Sequence, residues 1–188
     1  MRVISGKYRS RQLRSLPGLD VRPTSDRLRE TLFNVLCSGN PAALENAVCL
    51  DLFAGTGAVG IEALSRGAGR VCFVENSHAA VETIRANLRN LAISEGFSIL
   101  QDKLPHALRI LAEEGITAHI VFLDPPYRMS EAYTNTLELL STSSLLTPDS
   151  TVVAEHEKLF DPGEEFGGLR RFRRLDQGSA SLSFYRKT

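Results

Sequence analysis

The stretch Asp51-Leu52-Phe53-Ala54-Gly55-Thr56-Gly57-Ala58-Val59-Gly60 joins an apolar run of strand length to a segment with helical spacing. Gly55 and Gly57 allow the backbone to turn sharply and to approach a ligand, because neither residue carries a Cβ. The N–H groups that open the following helix face the same space. The stretch therefore predicts a strand, a ligand-binding turn and a helix, the opening unit of a parallel α/β sheet.

The same alternation of strand and helix continues along the chain. Strand-length apolar runs occupy 47–53, 70–75, 97–101, 119–124 and 151–156, and helical spacing occupies 58–65, 77–91, 104–113 and 131–140. Two further strands are expected at 169–175 and 180–186, around a Gln177-Gly178 turn. Alternating strands and helices require parallel strands with right-handed crossovers. We therefore predict an α/β, Rossmann-like fold: a mostly parallel seven-stranded sheet with an antiparallel C-terminal strand.

A smaller unit is expected before the first strand. Residues 2–16 alternate basic and apolar side chains, a pattern that predicts a short β-ribbon. A helix follows, with Thr24 or Ser25 as its N-cap. We therefore divide the chain into an N-terminal ribbon and helix, residues 1–40, and an α/β domain, residues 41–188.

The charge is unevenly distributed although the formal net charge is zero. Residues 1–30 carry eight basic and three acidic side chains, and residues 166–188 carry six and one. The intervening residues 31–165 carry eight basic and eighteen acidic side chains. Two basic ends suit a polyanion that contacts one face of the protein, since Lys and Arg neutralise phosphates. Charges near chain ends are, however, equally compatible with simple solvation.

Several classes of protein are excluded by composition. No run approaches the roughly 18 apolar residues that a membrane span needs. The basic N-terminus lacks the apolar segment of a signal peptide. Cys37, Cys49 and Cys72 lie in apolar runs and form no C-x-x-C pair, so we interpret them as reduced core residues. We expect a cytoplasmic protein without a metal site or a membrane partner.

Two acids near the glycine turn indicate the class of cofactor. Glu75 ends the second strand, 20 residues after Gly55, and an acid there accepts the ribose hydroxyls of an adenosine cofactor. Asp51 lies in the approach to the turn, where a carboxylate repels a diphosphate but pairs with the ammonium of a methionine group. This combination favours S-adenosylmethionine over a dinucleotide.

The tetrapeptide Asp124-Pro125-Pro126-Tyr127 follows the fourth strand and is the most specific signal in the chain. The two prolines stiffen the backbone and donate no N–H. The Asp124 carboxylate and the Pro125 carbonyl can therefore accept both hydrogens of an exocyclic amine, and Tyr127 offers a flat face on which a base stacks. A base held in this way must leave its stack or be unpaired already. The set predicts methyl transfer to a base NH2 group.

Five segments together resemble the bacterial RsmD-type methyltransferases, which modify guanine N2 in small-subunit ribosomal RNA. The matching segments are 2–9, 22–34, 51–60, 62–68 and 124–127, and they span nearly the whole chain. The segment 51–60 is also similar to the first motif of class I methyltransferases in general. One departure is Tyr127, where phenylalanine is common. The resemblance implies a monomeric enzyme that acts on 16S ribosomal RNA, within a 30S subunit or an assembly intermediate.

The resemblance also implies roles for individual residues. The catalytic set is Asp124, Pro125, Pro126 and Tyr127. The cofactor-binding set is Thr24, Arg29, Asp51, Phe53, Ala54, Gly55, Thr56, Gly57, Glu75, Asn76, Gln101 and Asp102. The RNA-binding set is Lys7, Arg9, Arg11, Arg14 and Arg22. Asp102 meets the adenine amino group in this interpretation, although a residue of its type is also a common helix N-cap.

Three other functions share part of the pattern. An amino methyltransferase that acts on adenine N6 of DNA or RNA, or on a protein glutamine amide, uses the same Pro-Pro-aromatic motif. The chain is too short for the large recognition domain of a sequence-specific DNA enzyme. A nicotinamide-dependent oxidoreductase needs a diphosphate-compatible turn, which Asp51 opposes. A nucleic-acid-binding module with a degenerate core is disfavoured by the intact Asp124 and glycine turn.

Overall fold

A mixed β-sheet with helices on both faces organises the chain, in a computed structural model that describes residues 1–16, 25–126 and 129–188. The helices are α1 (Asp26–Leu36), α2 (Ala58–Ser65), α3 (His78–Asn90), α4 (Leu104–Glu113) and α5 (Ser130–Thr142). The strands are β1 (Val48–Leu52), β2 (Arg70–Glu75), β3 (Phe97–Gln101), β4 (Ala118–Leu123), β5 (Leu146–Glu157), β6 (Glu165–Phe166), β7 (Leu169–Gln177) and β8 (Ala180–Lys187).

The strand order β3-β2-β1-β4-β5-β8-β7-β6 places the switch point of the sheet between β1 and β4. Strands β1 to β5 are parallel to one another, whereas β8 pairs antiparallel with both β5 and β7. The chain thus returns to insert its last described strand between β5 and β7. The predicted α/β fold with an antiparallel C-terminal strand is confirmed.

Two apolar layers enclose the sheet. One layer packs α1, α2 and α3 against side chains such as Val71, Phe73 and Phe122. The other packs α4 and α5 against Leu50, Val121 and neighbouring residues of the opposite face. The carboxyl ends of β1, β2 and β4 remain at one uncovered edge, which is where parallel sheets bind ligands.

Some boundaries differ from those expected from the sequence. Strand β5 begins at Leu146 rather than at residue 151, and the two-residue strand β6 was not predicted. The N-terminal ribbon is reduced to one antiparallel bridge between Arg2 and Gln12. Backbone bonds still cross the ribbon, from Val3 N–H to the Arg11 carbonyl (3.0 Å), from Ser10 N–H to the Val3 carbonyl (2.9 Å) and from Leu13 N–H to the Met1 carbonyl (3.1 Å). Groups of α2 accept from other N–H groups of the segment, which therefore does not form a regular two-stranded ladder.

The N-terminal segment docks on α2 through two buried polar side chains. The Glu62 carboxylate accepts hydrogen bonds from the N–H groups of Ile4 (2.7 Å) and Ser5 (3.0 Å). The Ser65 hydroxyl accepts from the N–H of Tyr8 at 3.0 Å, and the Ser65 carbonyl accepts from the N–H of Lys7 at 2.7 Å. These bonds hold residues 1–16, the N-terminal strap, against this helix.

No helix within the described ranges is both long enough and apolar enough to cross a membrane.

Candidate functional site

The tips of β1, β2 and β4 meet at the switch point. The Ala54 N–H donates to the Val74 carbonyl at 3.0 Å, and the Asp124 N–H lies 3.5 Å from the Leu52 carbonyl. The glycine turn and the start of the Asp124-Pro125-Pro126 segment are therefore adjacent. The sequence predicted this meeting, because each segment directly follows its own parallel strand.

The glycine turn adopts a backbone that few residues tolerate. Gly55 has φ 55° and Gly57 has φ 75°, and Phe53, which carries a side chain, has φ 58°. A left-handed conformation is unfavourable for a residue with a Cβ and is concentrated at functional sites. Helix α2 begins directly after Gly57, which has no side chain to cap it. Asp51 accepts from the N–H of Gly60 in the first turn, and the N–H groups before Gly60 suit a polar ligand.

Glu75 braces the turn with both oxygens of its carboxylate. One oxygen accepts from the Gly55 N–H at 2.9 Å, and the other accepts from the Ser77 N–H at 2.8 Å. Each carboxylate oxygen has further acceptor capacity, so these bonds leave Glu75 able to accept ribose hydroxyls. Asn76, the next residue, is exposed.

Asp51 lies in β1, just before the turn. Its side chain is buried, and one carboxylate oxygen accepts from the Gly60 N–H at 2.9 Å. Burial raises the pKa of Asp51 from 3.8 to about 7, opposed by the Gly60 hydrogen bond and assisted by nearby Glu75. A cation beside a buried acid of this kind favours its charged form and lowers its pKa.

The raised pKa of Asp51 predicts a pH-dependent stability. The folded protein holds this proton more tightly than the unfolded chain, so the stabilisation is fully present below about pH 4 and is lost as pH rises toward 7. The largest slope from one such group is about 1.4 kcal/mol per pH unit. Urea unfolding between pH 4 and 8 should show that Asp51→Asn removes much of this loss. Parallel pH profiles for the two proteins would contradict the assignment.

Gln101 and Asp102 lie at the tip of β3. Gln101 is exposed, and its amide oxygen is 3.5 Å from Nδ1 of His78. One Asp102 oxygen accepts from the Lys103 N–H at 2.7 Å and the other is hydrogen-bonded to His106, which holds the pKa of Asp102 below its usual range. Helix α4 has Lys103 as its N-cap, so the alternative role of Asp102 as the cap is wrong.

The described part of the predicted catalytic segment has graded exposure: Asp124 is half-buried, Pro125 is buried and Pro126 is exposed. The Pro125 carbonyl is not isolated, because the buried hydroxyl of Tyr133 lies 3.4 Å away. The same hydroxyl donates to the Glu155 carbonyl at 2.9 Å. Since a carbonyl has two lone pairs, Pro125 keeps acceptor capacity toward the site. Tyr133 thereby ties the tip of β4 to that of β5.

Sequence reasoning missed Tyr133 and Asn87. The buried Asn87 amide donates to the carbonyls of Thr56 (3.0 Å) and Arg14 (3.2 Å), and its oxygen accepts from the Arg14 N–H at 2.7 Å. One side chain thus joins the glycine turn to the N-terminal strap. A polar residue within the apolar stripe of α3 was the available signal for Asn87. No signal marked Tyr133, whose ring is indistinguishable from core packing.

Arg29, predicted to bind the cofactor, is fully buried on α1. Its guanidinium donates to the Arg2 carbonyl at 2.6 Å and to Asp26 at 2.8 Å. Burial lowers the pKa of Arg29, and the nearby Asp26 partly opposes that shift. The bond to Arg2 makes Arg29 a further anchor of the N-terminal segment. Its cofactor contact stays a prediction.

The predicted RNA-binding residues Lys7, Arg9, Arg11 and Arg14 are all exposed. The Arg11 guanidinium donates to the Asn90 carbonyl at 3.0 Å, so it also anchors the ribbon to α3. Arg22, Thr24 and Tyr127 lie outside the described residues. Within the described ranges no group of three His, Cys, Asp or Glu side chains could hold a metal ion.

His156 and Glu155, after the predicted fifth strand, are buried. Nε2 of His156 is 2.9 Å from the Ser183 hydroxyl, and Nδ1 is 2.9 Å from the Glu157 carbonyl. Burial lowers the pKa of His156. His156 is thus a buried core residue whose two ring nitrogens both have hydrogen-bond partners.

Comparison with known proteins gives consistent similarities. Residues 1–186 match the family model described as "Conserved hypothetical protein 95". The chain is 33% identical over 187 residues to "Putative rRNA methyltransferase YlbH" of Bacillus subtilis, covering 100% of this chain and 99% of that protein. It is 36% identical over 157 residues to "Ribosomal RNA small subunit methyltransferase D" of Escherichia coli, covering 84% and 75%.

The fold has a solved counterpart of similar size. The structure titled "Putative methyltransferase yhhF from Escherichia coli" superposes with a TM-score of 0.81 at 33% identity, covering 100% of this chain and 97% of that one.

Proposed function

Because the chain belongs to the RsmD family, we propose that it transfers a methyl group from S-adenosylmethionine to the exocyclic N2 of a guanine in 16S ribosomal RNA. One observation carries the chemistry of this proposal. Asp124 and the Pro125 carbonyl lie at the tip of β4. The Asp124 N–H is 3.5 Å from the carbonyl of Leu52, the last residue of β1, and the glycine turn follows Leu52 directly. A ribosomal substrate in turn places the reaction in the cytoplasm.

The residues around the turn fit S-adenosylmethionine. Asp51 is a buried acid whose pKa is raised to about 7, so a neighbouring ammonium would stabilise its charged form. Glu75, already fixed by two backbone bonds, suits the ribose hydroxyls. Gln101 and Asp102, at the next strand tip, suit the adenine. The cofactor supplies an electrophilic methyl group on a sulfonium.

The chain's own residues activate and orient the amine. An exocyclic amine is a poor nucleophile because its lone pair is delocalised into the ring. Accepting its two hydrogens at the Asp124 carboxylate and the Pro125 carbonyl draws the nitrogen toward a pyramidal geometry and stabilises the positive charge that develops on it. The bond from the nitrogen to the methyl carbon would replace that carbon's bond to the sulfonium sulfur, and one proton of the nitrogen passes to the Asp124 carboxylate. Tyr127 stacks on the ring and fixes its plane.

The basic N-terminal strap is the proposed RNA contact. It carries Lys7, Arg9, Arg11 and Arg14 on exposed positions and is fastened to the glycine turn through Asn87. The division at residue 40 is thus proposed as a division of roles, with RNA contacts before it and chemistry after it. A phosphate-binding strap explains why the positive charge is concentrated near this end of the chain.

Neutralising the strap should weaken RNA binding without abolishing the chemistry. For Arg9→Gln combined with Arg11→Gln, we expect the slope of log K against log salt to fall by about 1 to 2, because each lost phosphate contact removes roughly 0.7 to 0.9. Arg109→Gln on α4, an exposed arginine of the opposite helical layer, is the matched control. Filter binding at several salt concentrations measures the slope. An unchanged slope would exclude the strap as the contact.

The decisive experiment is mass mapping of ribosomal RNA from a strain that lacks this protein. The proposal predicts the loss of one N2-methylguanosine from the small-subunit RNA and its return when purified protein and S-adenosylmethionine are added. Loss of an N6-methyladenosine would instead favour the second candidate, an adenine amino methyltransferase, which Tyr127 keeps open because phenylalanine is the common residue there. Unaltered RNA would overturn both.

A further inference from the structure

Leu159 is the most exposed large apolar side chain among the described residues. Its relative exposure is 99%, compared with 51% for Met129, 48% for Phe172 and 42% for Leu139. It follows β5, at the same edge of the sheet as the glycine turn and Asp124. A single exposed leucine is common on protein surfaces, so its meaning depends on how it is held and what lies beside it.

The turn that carries Leu159 is fixed on both sides. The Phe160 N–H donates to the Glu157 carbonyl at 3.0 Å, and the Lys158 N–H donates to the Ser179 carbonyl at 2.9 Å. The Arg174 guanidinium donates to the Lys158 carbonyl at 2.7 Å. These hydrogen bonds fix the turn so that the Leu159 side chain is exposed to water. The turn itself does not require an apolar residue at this position.

The same turn rests on the wall of the proposed base site. The Phe160 ring packs on the Tyr133 ring with centroids 5.1 Å apart, and the Tyr133 hydroxyl lies 3.4 Å from the Pro125 carbonyl. The parallel register pairs Leu123 of β4 with Ala154 of β5, so Asp124 follows the end of β4 beside Glu155, which still lies within β5. The turn after β5 is thus connected through Tyr133 to the segment that is proposed to bind the amine.

A base that enters this site leaves a gap in its own stack. Proteins that unstack nucleic acid commonly insert an apolar side chain between the bases, because apolar contact offsets the lost stacking. We infer that Leu159 is the wedge that fills the gap left by the target base when that base turns toward Asp124. This inference rests on the proposed function. It adds a residue that helps the enzyme to act on RNA in which the target base is stacked and must first leave the stack.

The test compares two RNA substrates that differ only in pairing. One is a hairpin of small-subunit ribosomal RNA in which the guanine located by mass mapping is base-paired, and the other carries the same guanine opposite a mismatch. Wild type, Leu159→Ala, Leu159→Phe and the control Leu139→Ala are assayed for methyl transfer on both. Leu139 is the partly exposed leucine on α5, so its loss removes a similar side chain without touching the turn.

We expect Leu159→Ala to lower the rate on the paired hairpin, relative to the rate on the mismatched one, by about 10-fold, since stacking on one base is worth factors of this order. Leu159→Phe should restore the ratio, and Leu139→Ala should not change it. An unaltered ratio in Leu159→Ala, or a wild type that is inactive on the paired hairpin, would overturn the wedge while leaving the proposed methyl transfer intact. A wild type that is inactive on both hairpins and also on small subunits from the deletion strain would overturn the proposed function itself.

Discussion

Asp124→Ala should lower the rate of methyl transfer by about 100- to 1,000-fold, the usual effect of removing a group that stabilises charge only in the transition state. The affinity for S-adenosylmethionine should stay within about twofold. The proposed role of Asp124 is to accept from the amine, whereas the proposed cofactor contacts belong to other strand tips, at Glu75 and Gln101. Single-turnover rates and calorimetric titration with S-adenosylmethionine measure the two effects separately.

Two companion variants sharpen this result. Asp124→Asn keeps the size and one acceptor oxygen but cannot take the proton, so its rate should lie between those of wild type and Asp124→Ala. Asp149→Ala removes an exposed acid from a distant part of β5 and should behave as wild type. If Asp124→Ala loses cofactor affinity as strongly as it loses rate, Asp124 serves the cofactor rather than the amine.

Gly6→Ala should release the N-terminal strap and lower the free energy of unfolding by about 2 to 4 kcal/mol, within the range of strongly overpacked buried sites. A Cβ at Gly6 would lie 1.8 Å from the Ser65 carbonyl oxygen and 2.9 Å from the Arg66 nitrogen, both backbone atoms of or next to α2. Neither atom can rotate away, and the Lys7 N–H bond to the same Ser65 carbonyl would be strained or lost.

The chain supplies its own control for backbone strain. Gly39 has φ 82°, close to the 80° of Gly6, but a Cβ there meets nothing within 4 Å. Gly39→Ala should therefore report only the cost of a left-handed alanine, about 1 kcal/mol. Urea unfolding of the two variants separates the clash from the strain. Equal losses of unfolding free energy in the two variants would show that the strap moves to accommodate the added Cβ at little cost. The close approach to Ser65 would then contribute little to stability.

The sequence predicted those parts of the fold whose limits are set locally. The helix at 58–65 and the strand at 70–75 have the predicted bounds, because Gly57, Gly67 and Gly69 mark their ends. The proximity of the glycine turn and Asp124 was also predictable, since both follow parallel strands. Ser25 caps α1 as expected, accepting from the Leu28 N–H at 3.1 Å.

The remaining features depend on contacts between distant segments. Residues 2–16 have a strand-like pattern, yet the N–H groups of Ile4, Ser5 and Tyr8 bond to the side chains of Glu62 and Ser65. Nothing in the local sequence identifies these partners, which are nearly 60 positions away. The bond from Tyr133 to the Glu155 carbonyl likewise depends on how α5 settles on β5. Asp51 is buried and its carboxylate accepts from the Gly60 N–H, a contact that the sequence pattern did not identify; its cofactor contact stays a prediction.

The position of β8 has a consequence for the order of events during synthesis. This strand, Ala180–Lys187, fills the space between β5 and β7, and its Leu182, Phe184 and Tyr185 are fully buried. Until those residues leave the ribosome, β5 presents an unpaired edge and its apolar neighbours stay open to water. At roughly 5 to 20 residues per second, the nascent chain passes through this exposed stage for a few seconds. Chaperone contact is most useful to the protein in that interval.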